Sequence, residues 1–163
     1  MRTAGLASEP GSGSEAGCGP GGLDLPQPYL LFLGDTTEAG YAKTAFGLRD
    51  WARERCVGEY LLPGGTVSTG LPAMAPAVAR AQGARSMVIG VANSGGSIPP
   101  AWRPALEEAV RAGLHLVSGM HNRLRDIPGL ATLAVEHGVR LIEVRDPPSE
   151  RGSRLRRRRS YRS

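Results

Sequence analysis

Four short polar clusters that carry glycine recur along this 163-residue chain: Gly34-Asp35-Thr36-Thr37, Pro63-Gly64-Gly65-Thr66-Val67-Ser68-Thr69-Gly70, Asn93-Ser94-Gly95-Gly96-Ser97 and Ser118-Gly119-Met120-His121-Asn122-Arg123. Loops of this kind let backbone N–H groups approach a ligand, and N–H groups at the start of a helix favour an anion. Thr36 or Thr37 could equally be a plain helix N-cap with Glu38 in the first turn. The Asn93-Ser94-Gly95-Gly96 cluster is the stronger ligand candidate, because capping does not require two glycines. The 63–70 loop is too long for a minimal strand-to-helix turn, so it reads either as a functional loop or as a flexible connection. His121 is the side chain of these clusters suited to acid–base work near neutral pH, although a single loop histidine is more often non-catalytic. Arg123 beside it could pair with a carboxylate or a phosphate. His137, just before Gly138, suits a helix C-terminus, and His115 suits half-buried scaffold.

Several chemistries drop out. No cluster matches G-x-G-x-x-G, so the usual dinucleotide fingerprint is absent. The segment from Gly34 through Gly40 to Lys43 and Thr44 has the wrong spacing for a phosphate-binding P-loop, in which Lys directly follows the second Gly. Lys43 is expected near the middle of a helix, on its solvated face. No Ser/His/Asp order, paired carboxylates or metal-ligand spacing emerges, so no metal is expected.

The elements that must position these clusters follow from hydrophobic periodicity. Short apolar runs at 29–33, 57–62, 86–92, 114–118 and 140–144 predict five buried strands. Helices are expected over 38–52, with Tyr41, Ala45, Leu48 and Trp51 on one face, over about 72–82, from Pro99 or Pro100 to Gly113, and over 127–137. Strands alternating with helices predict an α/β domain: a three-layer, Rossmann-like or flavodoxin-like open sheet, mostly parallel, with helices on both faces. If the strand order is 2-1-3-4-5, the order reverses between the first and third strands. Ligands of such sheets bind there, beyond the carboxyl ends.

The rest of the chain is of a different kind. Residues 1–28 are rich in Gly, Ser and Pro and are expected to be disordered, with the domain at 29–146. Residues 147–163 form an Arg-rich tail with no apolar periodicity, also expected to be unfolded. The formal charge of +5 resides in that tail: residues 151–163 hold seven Arg and no acid, leaving 13 basic against 15 acidic residues before them. The domain is therefore no nucleic-acid binder by charge, and only the tail could attach to phosphate backbones, non-specifically and salt-sensitively. Two Cys make no disulfide framework, which fits a cytoplasmic protein. No apolar run is long enough to span a membrane.

The residues YLLFLGDTTEAGYAKTAFGLRDWARERCVGEY (29–60), LPGGTVSTGLP (62–72), VIGVANSGGSIPPAW (88–102) and LVSGMHNRLRDIP (116–128) resemble the N-terminal domain of the D-glutamate N-acetyltransferase-like family, long catalogued as a domain of unknown function. The resemblance runs in order over about residues 29–148. It implies a Rossmann-like domain that precedes a larger P-loop domain in an enzyme moving an acetyl group from acetyl-CoA to D-glutamate. It places Asp35, Thr36, Gly64, Gly65, Asn93, Ser94, Gly95, Gly96 and His121 on the family's rim, and assigns none of them to catalysis. Because the chain departs from the family pattern after Asp146-Pro147-Pro148, we expect a truncated or frame-shifted product. It would be inactive alone and would carry no cofactor of its own, with acetyl-CoA implied only for the full-length family. The P-loop domain would be its missing partner, a small anion its ligand, and its bared face would promote self-association. A stand-alone module binding a small anion or nucleotide at the GDTT and NSGG loops is the alternative.

Overall fold

A computed structural model describes residues 25–145. The expected tail at 147–163 lies outside the described residues, as does all but the end of the expected 1–28 extension. Residues 25–28 are already tied down: Ser86 Oγ donates to the Pro26 carbonyl at 2.6 Å, and Arg85 N to that of Pro28 at 2.9 Å.

Five strands form one parallel sheet: β1 (Tyr29–Gly34), β2 (Cys56–Leu61), β3 (Ser86–Ile89), β4 (His115–Ser118) and β5 (Leu141–Glu143), in the order β2-β1-β3-β4-β5. The strand order reverses between β1 and β3. Four helices connect them: α1 (Lys43–Ala52), α2 (Pro76–Ala81), α3 (Arg103–Arg111) and α4 (Leu130–Glu136). A right-handed crossover running from β1 out to β2 must lie on the face opposite to crossovers running from β2 back through β5. Accordingly α2, α3 and α4 touch one another in series, whereas α1 packs on β1 and β2.

The all-apolar run at 30–33 works because β1 is an interior strand, between β2 and β3, and is buried on both faces. Phe32 sits between Tyr60, with ring centroids 5.8 Å apart, and Trp102, edge-on at 5.3 Å. Opposite, α3 lays Ala105, Leu106, Ala109 and Val110 on the sheet. Gly90 lets α1 come close: a Cβ there would lie 2.6 Å from that of Ala45, whose N–H donates to the Gly90 carbonyl at 3.0 Å.

The helices are shorter than their periodicity predicts. The first is preceded by a separate 3-10 turn at Ala39–Tyr41, so Lys43 is the first residue of α1 and not its middle. The Ala45–Gly90 contact fixes its inward face, and Trp51, about 120° round the axis from Ala45, is 89% exposed. Residues 72–74, expected to be helical, instead run beside β2: Glu59 N donates to the Pro72 carbonyl and Met74 N to that of Glu59, both at 2.9 Å. Gly58 makes room for this, since a Cβ there would meet the Pro72 oxygen at 2.5 Å. The helix over 127–137 starts only at Leu130, after Gly129 in the left-handed conformation.

Candidate functional site

All four glycine-bearing clusters emerge at the carboxyl edge of the sheet, and the structure joins them in pairs. The first pair comprises the loops after β1 and β2. Leu62 N donates to the Gly34 carbonyl at 2.9 Å, and Thr66 N to that of Thr36 at 3.0 Å. Gly65 is needed for this approach, because a Cβ there would lie 2.7 Å from the Gly34 oxygen. Neither Thr36 nor Thr37 caps a helix: the residue before the 3-10 turn is Glu38, that before α1 is Ala42, and neither makes a side-chain cap. The GDTT loop therefore does not lead directly into α1 but is separated from it by the 3-10 turn.

The second pair comprises the loops after β3 and β4. Asn93 clips its own loop, donating from Nδ2 to the Ser97 carbonyl at 2.6 Å and accepting from Ser97 N at Oδ1 at 2.9 Å. His121 N donates to the Gly96 carbonyl at 2.7 Å. Gly96 has φ +62°, and a side chain there would run into the His121 ring. On its other side the imidazole Nδ1 faces Arg145 Nη1 at 3.1 Å. A guanidinium only donates, so Nδ1 accepts and the ring proton resides on Nε2. In this arrangement His121 offers a donor, with its basic nitrogen already engaged.

Trp102 joins the two pairs. Its indole Nε1–H donates to Asp35 Oδ1 at 2.8 Å across 67 residues of sequence, and its ring occupies the space that a side chain at Gly34 (φ +57°) would fill. Asp35, Thr36, Gly65, Asn93, Gly96 and His121 are thus brought into one interlocked rim. Thr37 and Ser94 are exposed. Gly64 has open space around it, and Gly95 meets only its own loop. Arg123 belongs to a different feature, a hollow of about 350 Å³ between the loops after β3 and β4. Ile98, Pro99, Pro100, Ile127 and Pro128 form its apolar walls, and Arg103, Asn122, Arg123 and Asp126 its polar lining. Arg103 is held by Glu107, Nε to Oε1 at 2.7 Å, and this hydrogen bond keeps the Glu107 carboxyl below the usual range. A second hollow of about 230 Å³ opens beside α1, over Val88, Val117, Met120 and Val144, with Arg145 on its lining.

Sequence reasoning missed the group that secures the rim. Glu59 is 2% exposed in β2 and accepts from Ser68 Oγ at 2.5 Å, Thr69 N at 2.7 Å and Thr69 Oγ1 at 2.5 Å. Arg49 adds a bond to the Thr69 carbonyl at 2.9 Å. The one signal was a carboxylate inside a strand, nine and ten residues before a Ser-Thr pair. Two other polar groups lie outside the rim contacts. Tyr60 donates to Glu108 at 2.9 Å, and burial together with that carboxylate pushes its hydroxyl up to about 12. The Cys56 thiol is raised by burial and by Glu54, which leaves it a poor nucleophile. Among the described residues no group of three or more His, Cys, Asp or Glu is placed to hold a metal ion, and no helix is long and apolar enough to cross a membrane.

A parallel five-stranded sheet with its loops gathered at the carboxyl edge defines a Rossmann-like domain, and comparison with known proteins agrees. Residues 54–147 match the family described as "Domain of unknown function (DUF1611_N) Rossmann-like domain", and the chain belongs to that family. It is 46% identical over 123 residues to a D-glutamate N-acetyltransferase of Tritonibacter scottomollicae, covering 76% of this chain and 37% of that protein. It is 41% identical over 125 residues to one from a Pseudoalteromonas species, covering 77% and 38%. The crystal structure of a DUF1611 family protein from Anabaena variabilis superposes with a TM-score of 0.61 at 27% identity, over 76% of this chain and 38% of that one. The chain therefore spans less than two-fifths of the length of these relatives, and matches them as an N-terminal domain.

Proposed function

We propose that this chain forms the substrate-side, N-terminal part of an acyltransferase of the D-glutamate N-acetyltransferase type. In that reaction the amine nitrogen attacks the thioester carbonyl of acetyl-CoA, a proton leaves the nitrogen, and the CoA thiol departs. The observation that carries this reading is the hollow at the carboxyl edge, in a chain 46% identical to a protein so named. Apolar walls of Ile and Pro suit the methylenes of a small dicarboxylic amino acid, and the Arg103 and Arg123 guanidiniums suit its carboxylates. His121, at the start of the same loop, supplies a further donor. Acetyl-CoA is left to the remaining length of the relatives, because the rim offers no phosphate-binding glycine motif. The same remainder would cover the apolar hollow beside α1, the face that carries a single helix. A chain bearing that face uncovered is expected to self-associate.

The test is a backbone NMR titration of the chain with D-glutamate, alongside an assay for acetyl transfer from acetyl-CoA. Expected are millimolar-range shifts confined to 98–103 and 122–128, weakened in Arg123→Gln, and no acetylated product from this chain alone. Shifts induced by nucleotides at the GDTT and NSGG loops, with none from D-glutamate, would replace this reading with the stand-alone nucleotide module.

A further inference from the structure

The opposite edge of the sheet, where the strands begin, has a different chemistry. Two hollows of about 310 and 240 Å³ open there, and Arg85 lines both. Arg140 lines the first, and Arg80, His115 and His137 line the second. These side chains are set on a braced backbone. His115 N donates to the Arg85 carbonyl at 2.9 Å, and Leu116 N to that of Arg140 at 3.0 Å. Arg140 N donates to His115 Nδ1 at 2.9 Å. With Nδ1 accepting, the neutral His115 ring carries its proton on Nε2, which is left as a donor. Arg80 lies over the glycine corner before β4: a Cβ at Gly113 would be 3.4 Å from its Nε.

Helix C-termini favour cations, and α2, α3 and α4 all end at this edge, which gives Arg80 and His137 a structural reason to be there. Arg85 and Arg140 have no such reason. Each leads into a strand, and among the described residues neither guanidinium makes a hydrogen bond or an ion pair. Among the described residues no acidic side chain lines either hollow; Glu136, next to His137, does not. Arg85 lines both hollows, and with Arg140 on one side, the His115 N–H on the other and Arg80, whose Nη1 also donates to the Ala84 carbonyl at 3.3 Å, it forms a donor set matched to tetrahedral oxyanions.

We infer that this amino-terminal edge binds a phosphate-type anion, held by Arg80, Arg85, Arg140 and the Nε2–H of His115. This is separate from the substrate reading at the carboxyl edge. Burial and the charges of Arg140, Arg85 and Arg80 lower the His115 pKa in the empty site. Because Nδ1 is held by the Arg140 N–H, the ring meets the anion as a neutral imidazole with Nε2–H as its donor.

The full chain is titrated with inorganic pyrophosphate at low ionic strength, following the imidazole C–H resonances of His115, which report on this site and not on the C-terminal arginines. The expected result is a saturable shift below about 10 mM, weakened about ten-fold in Arg85→Gln. ADP is run in parallel: saturation by ADP at lower concentration assigns the anion to a phosphorylated cofactor, and saturation by pyrophosphate alone to the free ion. If neither ligand moves His115, if acetate at equal ionic strength moves it equally, or if Arg85→Gln leaves the response unchanged, the inference is overturned.

Discussion

The two glycine-rich loops at the carboxyl edge look alike in sequence and are held in opposite ways. The 63–70 loop is tied to β2 through a buried carboxylate: Glu59 accepts three hydrogen bonds from Ser68 and Thr69, and the adjoining 72–74 segment extends the sheet edge. The 93–97 loop is tied mainly to itself, through the exposed Asn93–Ser97 pair, and meets β4's loop through Gly96 and His121. Glycine content, which the two share, therefore does not measure freedom. A loop anchored to a buried carboxylate of the sheet stands or falls with the domain, whereas a self-clipped loop can change locally beside the hollow it borders.

The largest test of this contrast is Glu59→Ala. It strands the Thr69 N–H and the Thr69 hydroxyl at a buried position and removes the partner of the exposed Ser68 hydroxyl, so the loss of unfolding free energy should be about 3 kcal/mol in a denaturant titration. Accelerated proteolysis is expected within 63–70. A loss below about 1 kcal/mol would mean that the loop is only a flexible connection and would dissolve the comparison. Gly96→Ala comes second. It forces a side chain onto a left-handed backbone at φ +62° and into the His121 ring, at a cost of about 2 kcal/mol. Its signature is local: the His121 resonances should move while those of Thr69 stay in place.

How much of this was legible depends on how far apart the interacting residues lie. The strand run at 30–33, the order of elements and the position of the four clusters at one edge follow from periodicity, which is a local property. The start of α1 does not, because Glu38–Ala42 has helical composition but no side-chain cap, and it is the Gly90–Ala45 contact, 45 residues apart, that seats the helix. The same holds for the rim. Trp102 reads as a core residue of its helix, and it is core, yet its Nε1–H serves Asp35 across 67 positions. His121 reads as a base; Arg145, from the other side of β5, turns it into a donor. Arg103 carries no local signal at all, and only the approach of 98–100 to 122–128 makes it part of a hollow.

Asn93→Ala is the smallest and sharpest test. It removes two hydrogen bonds, but both are exposed and both lie within five residues, so water replaces them at little expense and the global loss should stay near 1 kcal/mol. If the loop is as self-contained as its bonds indicate, amide exchange should rise at Gly96 and Ser97 while β3 and the 63–70 loop keep their protection. The Gly96 carbonyl would still accept from His121 N at 2.7 Å and hold this loop against the one after β4. D-glutamate binding in the neighbouring hollow should weaken only modestly, since none of the residues lining it is removed. Loss of protection spreading to Thr69 would show instead that the two halves of the rim are coupled through the Trp102–Asp35 bond, and the contrast between an anchored and a self-clipped loop would have to be withdrawn.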